Sequence, residues 1–454
     1  MGSIKVDVSK SMGAIKPFHG IGNGPVCFGS VMDSTSFYKI AGFPFIRLHD
    51  TNWPSPREVD IHQIFPDFSA DENDPASYDF RRTDEYLEQC FNTGAQIIYR
   101  LGVSIEHTRI KEHVHPPENF EKWASVCLHI IHHCNEGWAN GHHWNIRYWE
   151  IWNEPDNQYF MEDRSKDPMW SGTPEQYYDL YAITATKLKK AYPSLLIGGY
   201  GASRLSPKYL PYFRGFLDRV KRDNLPLDFF SWHRYADDPE EVYREANIAQ
   251  EGLDSIGYAH TISICDEWNY VPLAPPHEPR PLVPTDSTAA VWNGRFSKSC
   301  SHAGTSFITA VMARLHDTTC AITTLYEGSP TSIYGTIFDR YGYPEKPFYA
   351  FVMYRVLYES GNRVYAEKSD DGLYALAAAD KESLCLLVTA FKAGGNYEII
   401  VAGLKSGAQY RLQKYLTDDT RCHELVEDIT VISGHKLEIH LGEKATMLLK
   451  WSKV

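Results

Sequence analysis

The sequence predicts an α/β fold, a (β/α)8 TIM barrel with an additional C-terminal β-sandwich domain, and three observations predict it. Between about residues 17 and 355, eight short apolar segments alternate with longer helical patterns. Those segments are almost continuously apolar, as parallel strands covered on both faces are. Beyond about residue 360 the pattern changes to strands separated by turn residues, the mark of an all-β domain. A chain of 454 residues accommodates about two to three domains, or a barrel of roughly 250 residues or more with an appendage. The expected division is 1–16 as an N-terminal strand pairing with the sandwich, 17–359 as the barrel and 360–454 as the sandwich.

The expected barrel strands are 26–32, 43–48, 96–101, 145–151, 195–199, 227–232, 261–265 and 321–325. The helices between them have recognisable ends. Thr173-Pro174-Glu175-Gln176 offers an N-cap, a first-turn proline and a reciprocal Gln, followed by Tyr177, Leu180, Tyr181, Ala185 and Leu188 on one face. Asn119 precedes Phe120, Trp123, Cys127, Ile130 and Cys134 at helical spacing. A doubly wound sheet is the competitor, but Gly20-Ile21-Gly22-Asn23-Gly24 lacks the dinucleotide spacing and precedes the first expected strand. In the C-terminal part the expected strands are 364–366, 373–378, 384–390, 397–401, 408–414, 437–441 and 446–451. An opening strand at 4–8 is expected to cross over and pair with them.

The formal charge of −13 and the absence of a Lys/Arg cluster argue against nucleic acid, whose phosphates need a basic patch. A neutral substrate is the easier partner. The 11 Trp and 29 Tyr suit stacking on sugar rings and equally suit the filling of a large barrel. Nine cysteines, an odd number scattered through predicted helices and strands, read as buried thiols of a reducing compartment. Residues 1–11 lack a charged and apolar leader pattern, and no apolar run of about 18 residues occurs. The expectation is a cytoplasmic protein without a membrane partner; a leader already removed would be invisible, and a homo-oligomer is compatible with the sequence.

Catalytic groups of a (β/α)8 enzyme come from the C-terminal ends of strands. The chemically able residues fall there: His49 and Asp50 after the second strand, Glu154 after the fourth, His233 and Tyr235 after the sixth, Glu267 after the seventh. Glu154 lies in Trp149-Glu150-Ile151-Trp152-Asn153-Glu154-Pro155-Asp156, where aromatic neighbours favour burial and a raised carboxyl pKa. Two strand-end glutamates with aromatic neighbours suggest sugar chemistry. Glu150, on the strand itself, reads as a structural carboxylate inside the barrel, and Arg47 as a buried guanidinium bracing the strand ends. The histidines His107, His113, His115, His132, His133, His142 and His143 lack the His-Glu-x-x-His spacing of a zinc hydrolase and read as a solvated surface. No metal and no cofactor site is expected, and the absence of a Gly-x-Ser-x-Gly elbow leaves serine-hydrolase chemistry no foothold.

The string from Trp149 through Pro155, with its Asn153-Glu154 pair, resembles glycoside hydrolase family 39, within the clan of (β/α)8 retaining glycosidases. Tyr78-Asp79-Phe80, Pro117 with Glu121-Lys122-Trp123, Asp228-Phe229-Phe230-Ser231-Trp232-His233 with Tyr235, and Lys346-Pro347-Phe348-Tyr349 also resemble the β-xylosidases of that family. The resemblance implies a retaining, exo-acting, β-xylosidase-like hydrolase with a carbohydrate substrate. It implies Glu154 as general acid/base with a raised pKa and Glu267 as ionised nucleophile. It also implies a substrate-binding set: Asn153 donating to the sugar 2-hydroxyl, Tyr235 orienting Glu267, His49 and His233 on hydroxyls, and Trp268, Tyr326 and Glu327 lining the pocket, with Tyr270 beside them.

Two departures stand out. Thr324-Leu325-Tyr326-Glu327-Gly328-Ser329-Pro330 leads quickly to the last helix where the xylosidases carry a longer acidic loop, which unsettles xylose specificity. Arg100 in Tyr99-Arg100-Leu101-Gly102 stands where the family has an acidic or apolar residue; inward it would meet a uronate carboxylate, and outward bracing is the expectation. The alternatives are a non-catalytic sugar-binding barrel, a transglycosylase, or a glycosidase acting on arabinosides, glucosides, galactosides or uronides.

Overall fold

The computed structural model describes residues 2–454 apart from 26–32, 52–57, 106–110, 158–168, 273–288, 331–334, 336 and 393. The strands are β1 (Gly2–Ala14), β2 (Gly20–Gly22), β3 (Phe45–Leu48), β4 (Gln96–Leu101), β5 (Tyr148–Ile151), β6 (Leu196–Ala202), β7 (Phe229–Ala236), β8 (Ile262–Tyr270) and β9 (Ile322–Leu325). They continue with β10 (Asn362–Lys368), β11 (Leu373–Ala379), β12 (Ser383–Ala390), β13 (Gly395–Ala402), β14 (Gln409–Thr417), β15 (Glu424–Ile432), β16 (Leu437–Leu441) and β17 (Thr446–Lys453). Strands β2 to β9 close into a parallel barrel in sequence order, sealed where Ile21 of β2 meets Leu325 of β9. The expected first strand at 26–32 lies outside the described residues. The barrel instead opens on β2, the Gly20-Ile21-Gly22 segment expected to precede a strand. A β-carbon on Gly20 would come within 2.5 Å of the Thr323 carbonyl, so only glycine lets β2 lie this close to β9.

The helices end where their sequences say. Thr173 and Gln176 form both bonds of a capping box at the start of Pro174–Ala191, and the Asn119 side chain accepts from the Lys122 N–H at the start of Phe120–Glu136. The lower barrel interior is an apolar plug of Phe45, Ile98, Phe229, Ile264 and Ile322. Because strand side chains repeat every two residues, Arg47 stands above Phe45, Glu150 above Tyr148 and Ser231 above Phe229 on the same interior face. A polar layer therefore sits on the plug and carries the site.

The remaining nine strands form one sheet in the order β15-β14-β17-β12-β11-β10-β1-β13-β16. It curls until its two ends face each other over a shared core that includes Leu412, Trp451, Ile399 and Leu437, which makes it sandwich-like. β1 pairs antiparallel with β10 and parallel with β13. The sequence reading missed β15, an edge strand bonded only to β14 and mostly exposed, whose acidic residues mask its period. The sheet packs on the barrel's helices through Phe307 against Phe391, Ser306 bonded to Thr389 at 2.6 Å, and Lys392 paired with Asp238 at 2.8 Å. Among the described residues no helix is long and apolar enough to cross a membrane. Among the described cysteines, Cys300 is partly buried, Cys422 exposed and the rest buried.

Candidate active site

Strand β5 ends at Ile151, and the chain then turns through left-handed backbone at Trp152 (φ 72) and Glu154 (φ 46). Non-glycine residues adopt this region at a cost of the order of 1–3 kcal/mol each, tolerated where the surroundings fix them. Here the Trp152 N–H donates to the Leu101 carbonyl and the Glu154 N–H to that of Gly201. The turn lifts Asn153 and Glu154 over the barrel mouth, where both are buried.

Glu267 arrives by a different device. Along β7 and β8, Trp232 pairs with Cys265 but His233 pairs with Glu267, so Asp266 is an extra residue, a β-bulge. Strict alternation from Ile262 and Ile264 would turn Asp266 inward and Glu267 outward. The bulge turns both inward, and Arg47 contacts both, Nε to Asp266 Oδ2 at 3.1 Å and Nη1 to Glu267 Oε1 at 2.5 Å. The same guanidinium reaches Glu150 Oε2 at 2.7 Å and donates to Asn153 Oδ1 at 2.7 Å. The expected brace thus touches the candidate chemistry directly.

His233 lies between the two glutamates. Its Nδ1 is 2.7 Å from Glu154 Oε1 and 3.5 Å from Glu267 Oε2, and its Nε2 is 3.3 Å from Asp266 Oδ1. Burial opposes the imidazolium, but Glu267, Asp266 and Glu154 around it raise its pKa well above the ordinary value. Both ring nitrogens face carboxylates, so His233 is engaged by the acids instead of facing open space for a sugar hydroxyl. One ligand atom from each of Glu154, His233 and Glu267 lies within 4.8 Å of the others. A cation could bridge that spacing; the imidazolium supplies positive charge there already.

The protonation pattern follows from one guanidinium serving several acids. Burial pushes Glu150 up to about 8 despite Arg47, with Asp266 adding to the rise, while Arg47 and His233 hold Asp266 below the usual range against the cost of its burial. Glu150 carries the proton of this pair and also accepts from Ser231 Oγ at 2.6 Å. Burial likewise raises Glu267, opposed by His233, Arg47 and the Tyr235 hydroxyl, which donates to Oε2 at 2.9 Å. Burial and then the charge of Glu267 push Asp50 up to about 7.

Asn153 keeps its Nδ2 buried without a partner among the described residues, a donor left over for a ligand. His49 Nδ1 accepts from Arg100 Nε at 3.0 Å, so Nε2 carries the proton of a ring that burial, Arg100 and Arg47 keep neutral. The Tyr326 hydroxyl donates to Asp50 Oδ2 at 3.0 Å, and Glu327 Oε2 accepts from Asn23 Nδ2 at 2.5 Å. Trp268 does not join them: the bulge that turns Glu267 in turns Trp268 out, onto Phe307 in the helical layer, and Tyr270 stacks on the same ring at 4.9 Å. Arg100 is also not the outward brace expected; it is buried and paired with Asp60 Oδ1 at 2.6 Å.

Sequence reasoning missed Asp266, Asn157, which donates to Glu154 Oε2 at 2.7 Å, and Gly201. At φ +61, a β-carbon on Gly201 would lie 3.3 Å from Asn153 Oδ1, Glu150 Oε1 and His233 Nε2 alike. Asn157, three residues past Glu154 in the same turn, was the one legible from spacing.

Residues 42–259 match the family model of Glycosyl hydrolases family 39, which contains Glu154 and stops just short of Glu267. The chain is 26% identical over 272 residues to a β-xylosidase of Caldicellulosiruptor saccharolyticus, a match covering 55% of this chain and spanning half (50%) of that relative's length. Among solved structures, a glucosidase from Croceicoccus marinus superposes with a TM-score of 0.79 at 21% identity over 100% of this chain and 99% of that one. A monomeric β-xylosidase from Caulobacter crescentus CB15 gives 0.72 at 14% identity over 100% and 99%. Both likenesses establish the barrel with its second β domain. Residues 42–259, somewhat under half of the chain, are thus similar to glycosyl hydrolases family 39.

Proposed function

We propose that the protein is a retaining glycoside hydrolase of β-xylosidase type, with Glu267 as nucleophile and Glu154 as general acid/base. The observation that carries this reading is the approach of a Glu154 oxygen and a Glu267 oxygen to within 4.8 Å. Retaining enzymes hold their carboxyls about 5–5.5 Å apart so that one attacks the sugar directly, whereas inverting enzymes leave about 6.5–9.5 Å for a water.

In the first step Glu267 Oε attacks the anomeric carbon and the glycosidic C–O bond breaks. The leaving oxygen takes a proton from Glu154, whose partner His233 keeps a proton within 2.7 Å of it. Arg47 and Tyr235 hold Glu267 anionic and aimed until the ester forms. In the second step Glu154 takes a proton from water, which attacks the same carbon and releases Glu267. The unused Nδ2 of Asn153 donates to the sugar 2-hydroxyl, a bond that strengthens as positive charge develops on the ring. The set Asp50, Glu327 and His49 binds the remaining hydroxyls of a neutral sugar, and its acidity opposes a uronate. The β-xylosyl glycone and exo action follow the curated relatives named β-xylosidases.

The test is a 2-deoxy-2-fluoro aryl β-xyloside, which slows release of the intermediate. It labels Glu267, and Glu267→Gln loses turnover by roughly four orders of magnitude or more on aryl glycosides. A label on another residue, or normal turnover by that variant, overturns the assignment. A panel of aryl xylosides, arabinosides, glucosides, galactosides and uronides decides the glycone, the xyloside being expected to react fastest and the uronide not at all.

A further inference from the structure

We propose that Asp84, His133 and His142 form a divalent-metal site of zinc type on the helical layer, outside the barrel. The three belong to the helix Arg81–Phe91, the helix Phe120–Glu136 and the connection from the latter to β5. One ligand atom of each lies within 4.8 Å of the others. His133 Nδ1 lies 2.9 Å from the Trp138 carbonyl, which can only accept, so the ring proton sits on Nδ1. In the neutral ring the Nε2 lone pair then points at Asp84 Oδ1, 2.8 Å away, and His142 Nε2 faces that same oxygen at 3.5 Å.

An imidazole lone pair aimed at a carboxylate oxygen calls for a cation between them. A second proton on His133 would serve one such pair; two imidazoles converging on one carboxylate match a metal. Two imidazoles and a carboxylate form a ligand set that zinc accepts, with a further position for water. The site is built: His133 is buried and stacked on Phe80 at 3.5 Å, and His142 is stacked on Trp144 at 3.8 Å. The Trp138 carbonyl fixes the tautomer as the outer partner of a metal-bound histidine does. His142 remains 36% exposed, which leaves an ion a way in. A bound ion would fasten the turn that leads into β5 to both helices.

The full chain, stripped with a chelator and titrated with zinc chloride by calorimetry, is expected to take up one ion at this site, and zinc is expected to raise its melting temperature. His142→Ala, a change at an exposed ring, and Asp84→Asn each lower the affinity about tenfold or more and abolish the thermal shift, while His143→Ala leaves both intact. Aryl-glycosidase activity is expected to be the same with and without zinc, so the outcome is separable from the catalytic reading. No uptake, or uptake unchanged by His142→Ala, overturns the proposal and leaves Asp84 and His133 as an ion pair.

Discussion

Tyr235→Phe isolates the hydroxyl that holds Glu267. The ring's edge-on packing against Tyr326, at 6.3 Å, survives the change, so what is lost is the 2.9 Å bond to Glu267 Oε2. A hydrogen bond to a charged group is worth about 1.5–3 kcal/mol, which corresponds to about a 10- to 150-fold fall in kcat/KM. The same energy appears in the titration. Burial already raises Glu267, and the hydroxyl is one of the groups opposing that rise. Its removal moves the Glu267 pKa further upward. The acid limb of kcat/KM against pH reports the free enzyme and moves to higher pH in the variant, with part of the lost rate returning on the alkaline side. A stopped assay on an aryl β-xyloside from pH 4 to 9 measures both. A limb that stays in place with kcat/KM within about threefold of the parent would refute Tyr235 as the orienting donor, because a packing role does not shift a titration.

Gly201→Ala places a β-carbon among three polar atoms in left-handed backbone, costing about 1–2 kcal/mol in conformation before any displacement of Asn153 or His233. Steady-state kinetics should give a kcat at least about tenfold lower with KM little changed; unchanged kcat would mean the three groups do not need their present positions. Asp156 is buried and raised to about 7, chiefly by burial, while Oδ1 accepts from the Ser203 N–H at 3.0 Å and Oδ2 has no partner among the described residues. A carboxyl raised on folding contributes stability that is full below its unfolded pKa and is lost as pH rises through about 7. Asp156→Asn keeps the Ser203 bond and removes that loss, so thermal melts at pH 5 and pH 8 should differ less in the variant, by on the order of a few kcal/mol. Equal differences in the two proteins would place the Asp156 titration elsewhere.

The barrel was legible because seven of its strands are continuous apolar runs; the first was not, because β2 is three residues with glycine at both ends. The turn after β5 was legible because Asn153 and Glu154 are adjacent to a strong strand signal. Arg47, Glu150 and His233 were also named, but their mutual contacts and the part of Asp266 were not legible, since the four come from different strands and meet only when the barrel closes. Trp268 misled for a local reason: a tryptophan one residue from the candidate nucleophile invites a stacking role, and the sequence carries no mark of the extra residue at Asp266 that reverses its direction. Edge strand β15 escaped because its exposed residues follow solvent and not a core.

That extra residue makes the bulge in β8 a functional quantity. Paired regularly, with Asp266 kept in the ladder, the strand would turn Glu267 outward and Trp268 into the barrel mouth, whereas deleting Asp266 would leave Glu267 opposite His233 and withdraw one of the carboxylates that Arg47 balances. Loops around a barrel tolerate insertions and deletions because their ends stay fixed. Here one local bulge separates a pocket built around two acids from one lined by an indole. New specificities on this scaffold must therefore come from side-chain replacement or from the loops, with the β8 bulge kept in place.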